Sequence, residues 1–133
     1  MTLEDIDVAV HEFATCAKLA IEAGFDGIEI HSAHGYLPNQ FLNQSSNQRS
    51  DKYGGSRENR MRFLLEVIDA SIKEIGSEKV ALRISPFSYV DTEEDPEELI
   101  ELYSMLAEQL NEYNLSYLHL SHMGDAEPVK FEL

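Results

Sequence analysis

A single cysteine, Cys16, occurs in the sequence, which excludes an internal disulfide and any cluster of thiolate metal ligands. Alanines surround it on a helical pattern, so it is expected to pack as a small apolar side chain rather than to act as a reactive thiol. Basic residues are scarce as well: 10 lysines and arginines stand against 25 aspartates and glutamates, a formal net charge of -15. Such a surface repels phosphate backbones and anionic headgroups, which argues against nucleic acid and membrane surfaces as partners. There is no run of about 18 apolar residues, and the acidic N-terminus lacks the basic and apolar regions of a signal peptide, so the cytoplasm is the expected compartment. What is present is 133 residues, 43% of them hydrophobic, enough for one compact core.

Hydrophobic spacing orders the elements. Ile6, Val10, Phe13, Ala17 and Ala20 recur at intervals of four and three, which predicts a helix over 2–23 with Thr2 as its cap and Gly24 as its stop. Residues 27–31 then alternate with period two: Ile28 and Ile30 share one face of a strand, Glu29 and His31 the other. The polar stretch 32–55, with Pro38 and the Gly54-Gly55 pair, is too long for an ordinary connection and reads as a functional loop. A second helix starts at a Ser56 cap, buries Phe63, Leu64, Val67, Ile68 and Ile72, and stops at Gly76. In the strand 80–85, Val80, Leu82 and Ile84 share a face while Arg83 projects from the other. Asp95 and Pro96 open a third helix with the stripe Leu99, Tyr103, Leu106, Leu110 and Tyr113, ending near Asn114. The segment 117–121 is a third strand, with Leu118 and Leu120 opposite His119.

Strand and helix alternate three times, the pattern of an α/β protein with parallel strands and right-handed crossovers. One face of every strand carries polar or charged groups, whereas strands of an open doubly wound sheet are apolar on both faces. A partial (β/α)8 barrel of about three strand-helix units therefore fits better, with chemistry where the strands end and loops begin. A flavodoxin-like sheet is the competing fold, and no Gly-rich phosphate loop follows any strand to support it. The whole chain, 1–133, reads as one partial-barrel domain with 32–55 as its active-site loop.

The stretch Gly24-Phe25-Asp26-Gly27-Ile28-Glu29-Ile30-His31-Ser32-Ala33-His34-Gly35-Tyr36, continuing through Asn39-Gln40-Phe41-Leu42, Tyr53-Gly54-Gly55-Ser56, Asn59-Arg60 and Arg62-Phe63, resembles the signature of the old yellow enzyme family. These are flavin-dependent ene-reductases and their dienoyl-CoA reductase relatives. A weaker likeness runs through Leu82-Arg83-Ile84-Ser85-Pro86 to the third strand, so it covers essentially the whole chain. The resemblance implies a barrel holding FMN, reduced by NAD(P)H, to which this chain supplies the equivalents of strands four to six. In longer relatives more chain precedes the first helix, so Met1 reads as an internal start, a split gene product or an artificial boundary.

The resemblance also implies roles. His31 and His34 match the pair that binds a substrate carbonyl oxygen, where two fixed donors stabilise the charge that hydride transfer to an activated alkene pushes onto it. Tyr36 matches the proton donor to the α-carbon, a task for a weakly acidic hydroxyl. Arg83 matches the arginine at the flavin's pyrimidine edge. Asn59, Arg60 and Arg62 read as fold supports. Other readings of the same residues stand beside these. His31 and His34 are alternatively hydrogen-bonded loop anchors, or zinc ligands with Glu29, His119 or His122. Arg83 is alternatively an interior ion pair with Glu29. His119 and His122 face the site or serve packing, and the acidic run 91–98 is a solvated loop and helix start. The expected partner is a small-molecule substrate. Unpaired strand edges also predict self-association or a complementary barrel fragment. The function is that of a fragment of an FMN-dependent alkene reductase or, alternatively, of a non-catalytic remnant or interaction module.

Overall fold

In a computed structural model the described residues are 1–91 and 93–121. Helix α1, Leu3–Glu22, begins with a reciprocal cap: Thr2 Oγ1 accepts from the Asp5 amide at 3.1 Å and Asp5 Oδ2 accepts from the Thr2 amide at 2.6 Å. Strand β1 is Ile28–Ser32, helix α2 Leu37–Leu42 and helix α3 Arg57–Ile75. A short 3-10 turn, Ser77–Lys79, leads into strand β2, Val80–Ile84. Helix α4, Pro96–Leu110, is capped by Asp95, and strand β3 is Leu118–Leu120. Thr2, Ser56 and Asp95 are the caps that the sequence predicts. No described helix is long and apolar enough to cross a membrane.

The three strands lie parallel in the order β1-β2-β3. Ile30, Val80, Leu82 and Ile84 meet α1, α3 and α4 in one core with Ile6, Phe63, Leu64, Val67, Ile68, Leu102 and Leu106. The opposite face carries the polar row, because successive strand side chains alternate. Register sets His31 beside Arg83, and Arg83 beside His119. This is the arrangement expected of a barrel segment, helices outside and polar groups inside.

Several boundaries and burials differ from the sequence expectations. The stretch 32–55 is not irregular throughout: α2 lies inside it, started by Pro38 and burying Phe41 and Leu42. Helix α4 closes at Leu110 rather than near Asn114 and continues as a turn, with Asn114 in a left-handed conformation at φ 50°. Cys16 is exposed, not packed. Alanines 9, 14 and 17 face the core while others do not, so alanine neighbours gave no information about which face Cys16 occupies. Leu118 and Leu120 are 41% and 55% exposed, so β3 is a bare edge. Beside it a concavity of about 740 Å3 opens, lined by Ala107, Leu110, Leu115 and Leu118 among others.

Arg60 ties the long loop to this frame. Its buried guanidinium donates to the Leu42 carbonyl at 2.8 Å, to the Gly55 carbonyl at 2.9 Å and to Glu98 of α4 at 2.5 Å. Arg57 donates to the same carboxylate at 2.6 Å, which holds Glu98 below the usual carboxylate range. Asn59 donates to the Gly54 carbonyl and Arg62 to the Lys52 carbonyl. Asn59, Arg60 and Arg62 support the fold, as their place at the loop-to-helix junction suggests.

Two outcomes are expected. Replacing Arg60 with Leu leaves the Leu42 and Gly55 carbonyls without their donor and Glu98 held by Arg57 alone, and should lower unfolding free energy by about 2–4 kcal/mol in urea titration; a change within about 0.5 kcal/mol would remove Arg60 from this role. With β3 and its neighbouring concavity bare, sedimentation of the purified chain should find oligomers, or cooperative folding only with a complementary polypeptide. A monodisperse, cooperatively folded monomer would contradict this.

Candidate functional site

The site begins where β1 ends. Ala33 is buried, then His34 and Gly35 both take left-handed backbone, φ 53° and 80°. That conformation costs a histidine about 1–2 kcal/mol. Two buried or half-buried hydrogen bonds hold it: the His34 amide donates to Ser85 Oγ at 2.8 Å, and the Gly35 amide donates to Asn39 Oδ1 at 2.7 Å. Asn39, fully buried on α2, in turn donates to Asn43 Oδ1 and to the Tyr103 hydroxyl. The turn carries the His34 ring back over the polar face of the sheet. It also sets Tyr36, 61% exposed, at the start of α2.

Three of the four residues singled out by the sequence come together here. The ring centres of His31 and Tyr36 are 4.8 Å apart, and those of His31 and His34 6.3 Å. His34 lies nearly parallel to Tyr89, 10° apart at 6.0 Å. Arg83, the fourth, is beside His31 in register and reaches the same group through Ser121: its Nη2 donates to Ser121 Oγ at 2.8 Å, and His34 Nε2 is 2.9 Å from that oxygen. His34 Nδ1 and Arg83 Nε are buried and have no hydrogen-bond partner among the described residues. Buried orphans of this kind call for an explanation, and an absent ligand is one.

The proposed Arg83–Glu29 ion pair does not form. Register sets Glu29 opposite Ala81, two residues short of Arg83, and Glu29 Oε1 instead meets His119 Nδ1 at 3.0 Å. His119 therefore faces the site side of the sheet but is engaged by Glu29. No group of three or more metal-ligating side chains exists among the described residues. His122 lies outside them.

Both histidines are held below the ordinary imidazole range. For His31 the causes are burial and then the positive charge of Arg83; for His34 they are burial, Arg83 and then His31. Neutral imidazoles at pH 7 suit donors to a carbonyl oxygen. Burial pushes the Asp91 carboxyl up, while Asn43 Nδ2 and the Ser88 amide each donate to it at 2.7 Å. Asp91 thereby fastens the segment that carries Tyr89 onto α2, a role its place in an acidic run did not suggest.

Sequence reasoning assigned no part in the site to Ser85, Ser121, Asn39, Asp91 or Tyr89. Strand parity was the available signal for two of them, since Ser85 follows Arg83 and Ser121 follows His119 by two positions. For the others local pattern was no guide, because the partners that tie Asn39, Asp91 and Tyr89 to the rest of the site, Tyr103, Asn43 and His34, are 48 to 64 residues away.

Comparison with known proteins gives the family and the fold. The family described as NADH:flavin oxidoreductase / NADH oxidase matches residues 1–132. A probable flavin mononucleotide-dependent alkene reductase of Leishmania infantum is 52% identical over 132 residues, which are 98% of this chain and 35% of that protein. The 12-oxophytodienoate reductase 2 of Arabidopsis thaliana is 46% identical over 90% of this chain and 32% of its own length. Among solved structures, Old Yellow Enzyme from Pichia sp. AKU4542 aligns with TM-score 0.80 at 43% identity, over 94% of this chain and 35% of that one. Morphinone reductase in complex with tetrahydroNAD aligns with TM-score 0.83 at 41% identity, over 90% and 33%. The chain thus spans about a third of the relatives it matches.

The depressed imidazoles give a pH dependence. The unfolded chain binds protons near 6.5 and the folded chain only below that, so stability is complete above pH 6.5 and falls as pH drops toward the folded values. Urea midpoints should decline below that point, and the double change His31→Gln and His34→Gln should flatten the decline; an undiminished slope would refute the assignment.

Proposed function

Because the chain belongs to the NADH:flavin oxidoreductase / NADH oxidase family, we propose that it is one segment of an FMN-dependent reductase of activated alkenes, contributing the carbonyl-binding pair His31 and His34, the proton donor Tyr36 and the flavin-edge contact Arg83. The observation that carries this reading is the pair of buried, unpartnered nitrogens, His34 Nδ1 and Arg83 Nε, on the sheet face shared with His31. A flavin edge and a substrate carbonyl are both rich in acceptors, so groups of that kind fit these nitrogens.

In this reading bound FMN, reduced by NAD(P)H, supplies the hydride. The chain's own residues do the rest. His31 and His34 bind the carbonyl oxygen of an enone or a related acceptor, and their N–H groups stabilise the charge that develops there; removing one such donor typically costs about 10²–10³ in rate. Tyr36 stands 4.8 Å from His31 by ring centres and is open to solvent, so its hydroxyl can deliver a proton to the neighbouring carbon and be replenished from water. Arg83 holds positive charge at the pyrimidine edge.

Phosphate sites in such barrels commonly follow the last two strands, which are not among the described units, and β3 presents a bare edge. Activity therefore belongs to a completed barrel, formed with a complementary barrel fragment or by self-association. The bare edge also favours a second reading, a non-catalytic remnant or interaction module. Flavin retention separates the two: a chain that stays colourless with FMN even when complemented supports the module.

The test is complementation with a polypeptide carrying the other five strand-helix units. Enone reduction with NAD(P)H is expected, and Tyr36→Phe should slow alkene reduction by about 10²-fold or more while leaving flavin reduction intact. Equal loss in both half-reactions would end the proton-donor assignment.

A further inference from the structure

The Ser121 hydroxyl touches both Arg83 and His34, and it has few protons to share. Arg83 Nη2 is 2.8 Å from Ser121 Oγ and His34 Nε2 is 2.9 Å from it. A guanidinium has donors only, so Arg83 takes one lone pair of the oxygen. The hydroxyl proton of this buried serine then has one acceptor in reach among the described residues, His34 Nε2. If His34 instead gave an Nε2 proton to the oxygen, two groups would be left unmet: the serine proton and the Nδ1 lone pair. With Ser121 donating to Nε2, only the Nδ1 proton is unmet, and Nδ1 is buried without a partner. Buried polar groups left unmet are costly, so the arrangement with one is favoured.

We propose that Ser121 is a positioning residue: its hydroxyl, turned by Arg83, fixes His34 as the Nδ1–H tautomer and so presents Nδ1 as the donor to a substrate oxygen. The last step rests on the alkene-reductase reading; the tautomer does not. Burial and the charges of Arg83 and His31 keep His34 neutral at pH 7, so it has a tautomer to select. The Ser85 bond to the His34 amide and the Tyr89 ring beside the imidazole fix the ring's place, leaving Ser121 to set the proton. Each hydrogen bond in the chain Arg83 to Ser121 to His34 polarises the next, which strengthens the selection.

The chain labelled with 15N-histidine, in its assembled form as an oligomer or with an unlabelled complementary polypeptide, and with His34→Gln identifying the signals, reports the tautomer in long-range 1H–15N spectra at pH 7.5. The unaltered protein should show a protonated Nδ1 and an unprotonated Nε2. Ser121→Thr keeps the hydroxyl and should keep that pattern. Ser121→Ala should move the ratio of tautomers by roughly tenfold toward Nε2–H. An Nε2–H majority in the unaltered chain, or an unchanged ratio in folded Ser121→Ala, overturns the proposal. If Ser121→Ala loses its folded dispersion, the Thr variant decides, and an Nε2–H majority there overturns it. No flavin or substrate enters these spectra. The expected tautomer together with an inactive completed barrel would sink the reductase reading and leave the Ser121 assignment standing.

Discussion

Parallel pairing of three short strands, with helices on one side only, is the constraint on which everything else depends. Because side chains alternate along a strand, burying Ile30, Leu82 and Ile84 under α1, α3 and α4 obliges His31, Arg83 and His119 to share the other face. A slip of one residue in either pairing would exchange the two sets, placing a guanidinium in the apolar core and leucines on the open face. The apolar side thus specifies the polar side. The row His31, Arg83, His119 is a consequence of hydrophobic burial before it is a chemical device.

A second layer turns that row into a site. Loop 32–55 would be free to wander were its ends not tied down. Arg60 binds carbonyls from both arms of it and couples them to Glu98, so α3 and α4 jointly hold the loop. Asn39 and Ser85 then secure the left-handed turn at His34 and Gly35, and Asp91 fastens the Tyr89 segment against α2. Most of these bonds are buried or half-buried, where pairing is worth more and breaking it costs more than at the surface. The imidazoles stay neutral for the same reason, low solvation beside a fixed cation.

Much of this was legible from residues alone, and the reasons are specific. Period-two alternation at 27–31 and 80–85 gave the faces of β1 and β2 because each strand is apolar on one side only. Capping residues Thr2, Ser56 and Asp95 marked helix starts because their oxygens satisfy otherwise unpaired amides. Helix α2 was not legible: six residues give no periodicity, and Asn39 and Gln40 made it look like loop. For β3, alternation told which residues share a face, not whether anything covers them. Strand parity sets Ser121 on the site face, but its partners, like those of Glu98, leave no trace in local pattern because the hydrogen bonds are long-range. The resemblance of the His31-to-Tyr36 stretch to flavin enzymes added roles that spacing alone left open between anchor, metal ligand and catalyst.

The central claim, that the polar face is the interior of a flavin barrel with Arg83 at the cofactor, can be tested at one nitrogen. Arg83 Nε is buried and unpartnered among the described residues. In the complemented barrel, its N–H resonance should shift saturably as FMN is added, in step with the flavin bound. Bound flavin with an unmoved Arg83 Nε–H signal would contradict the claim.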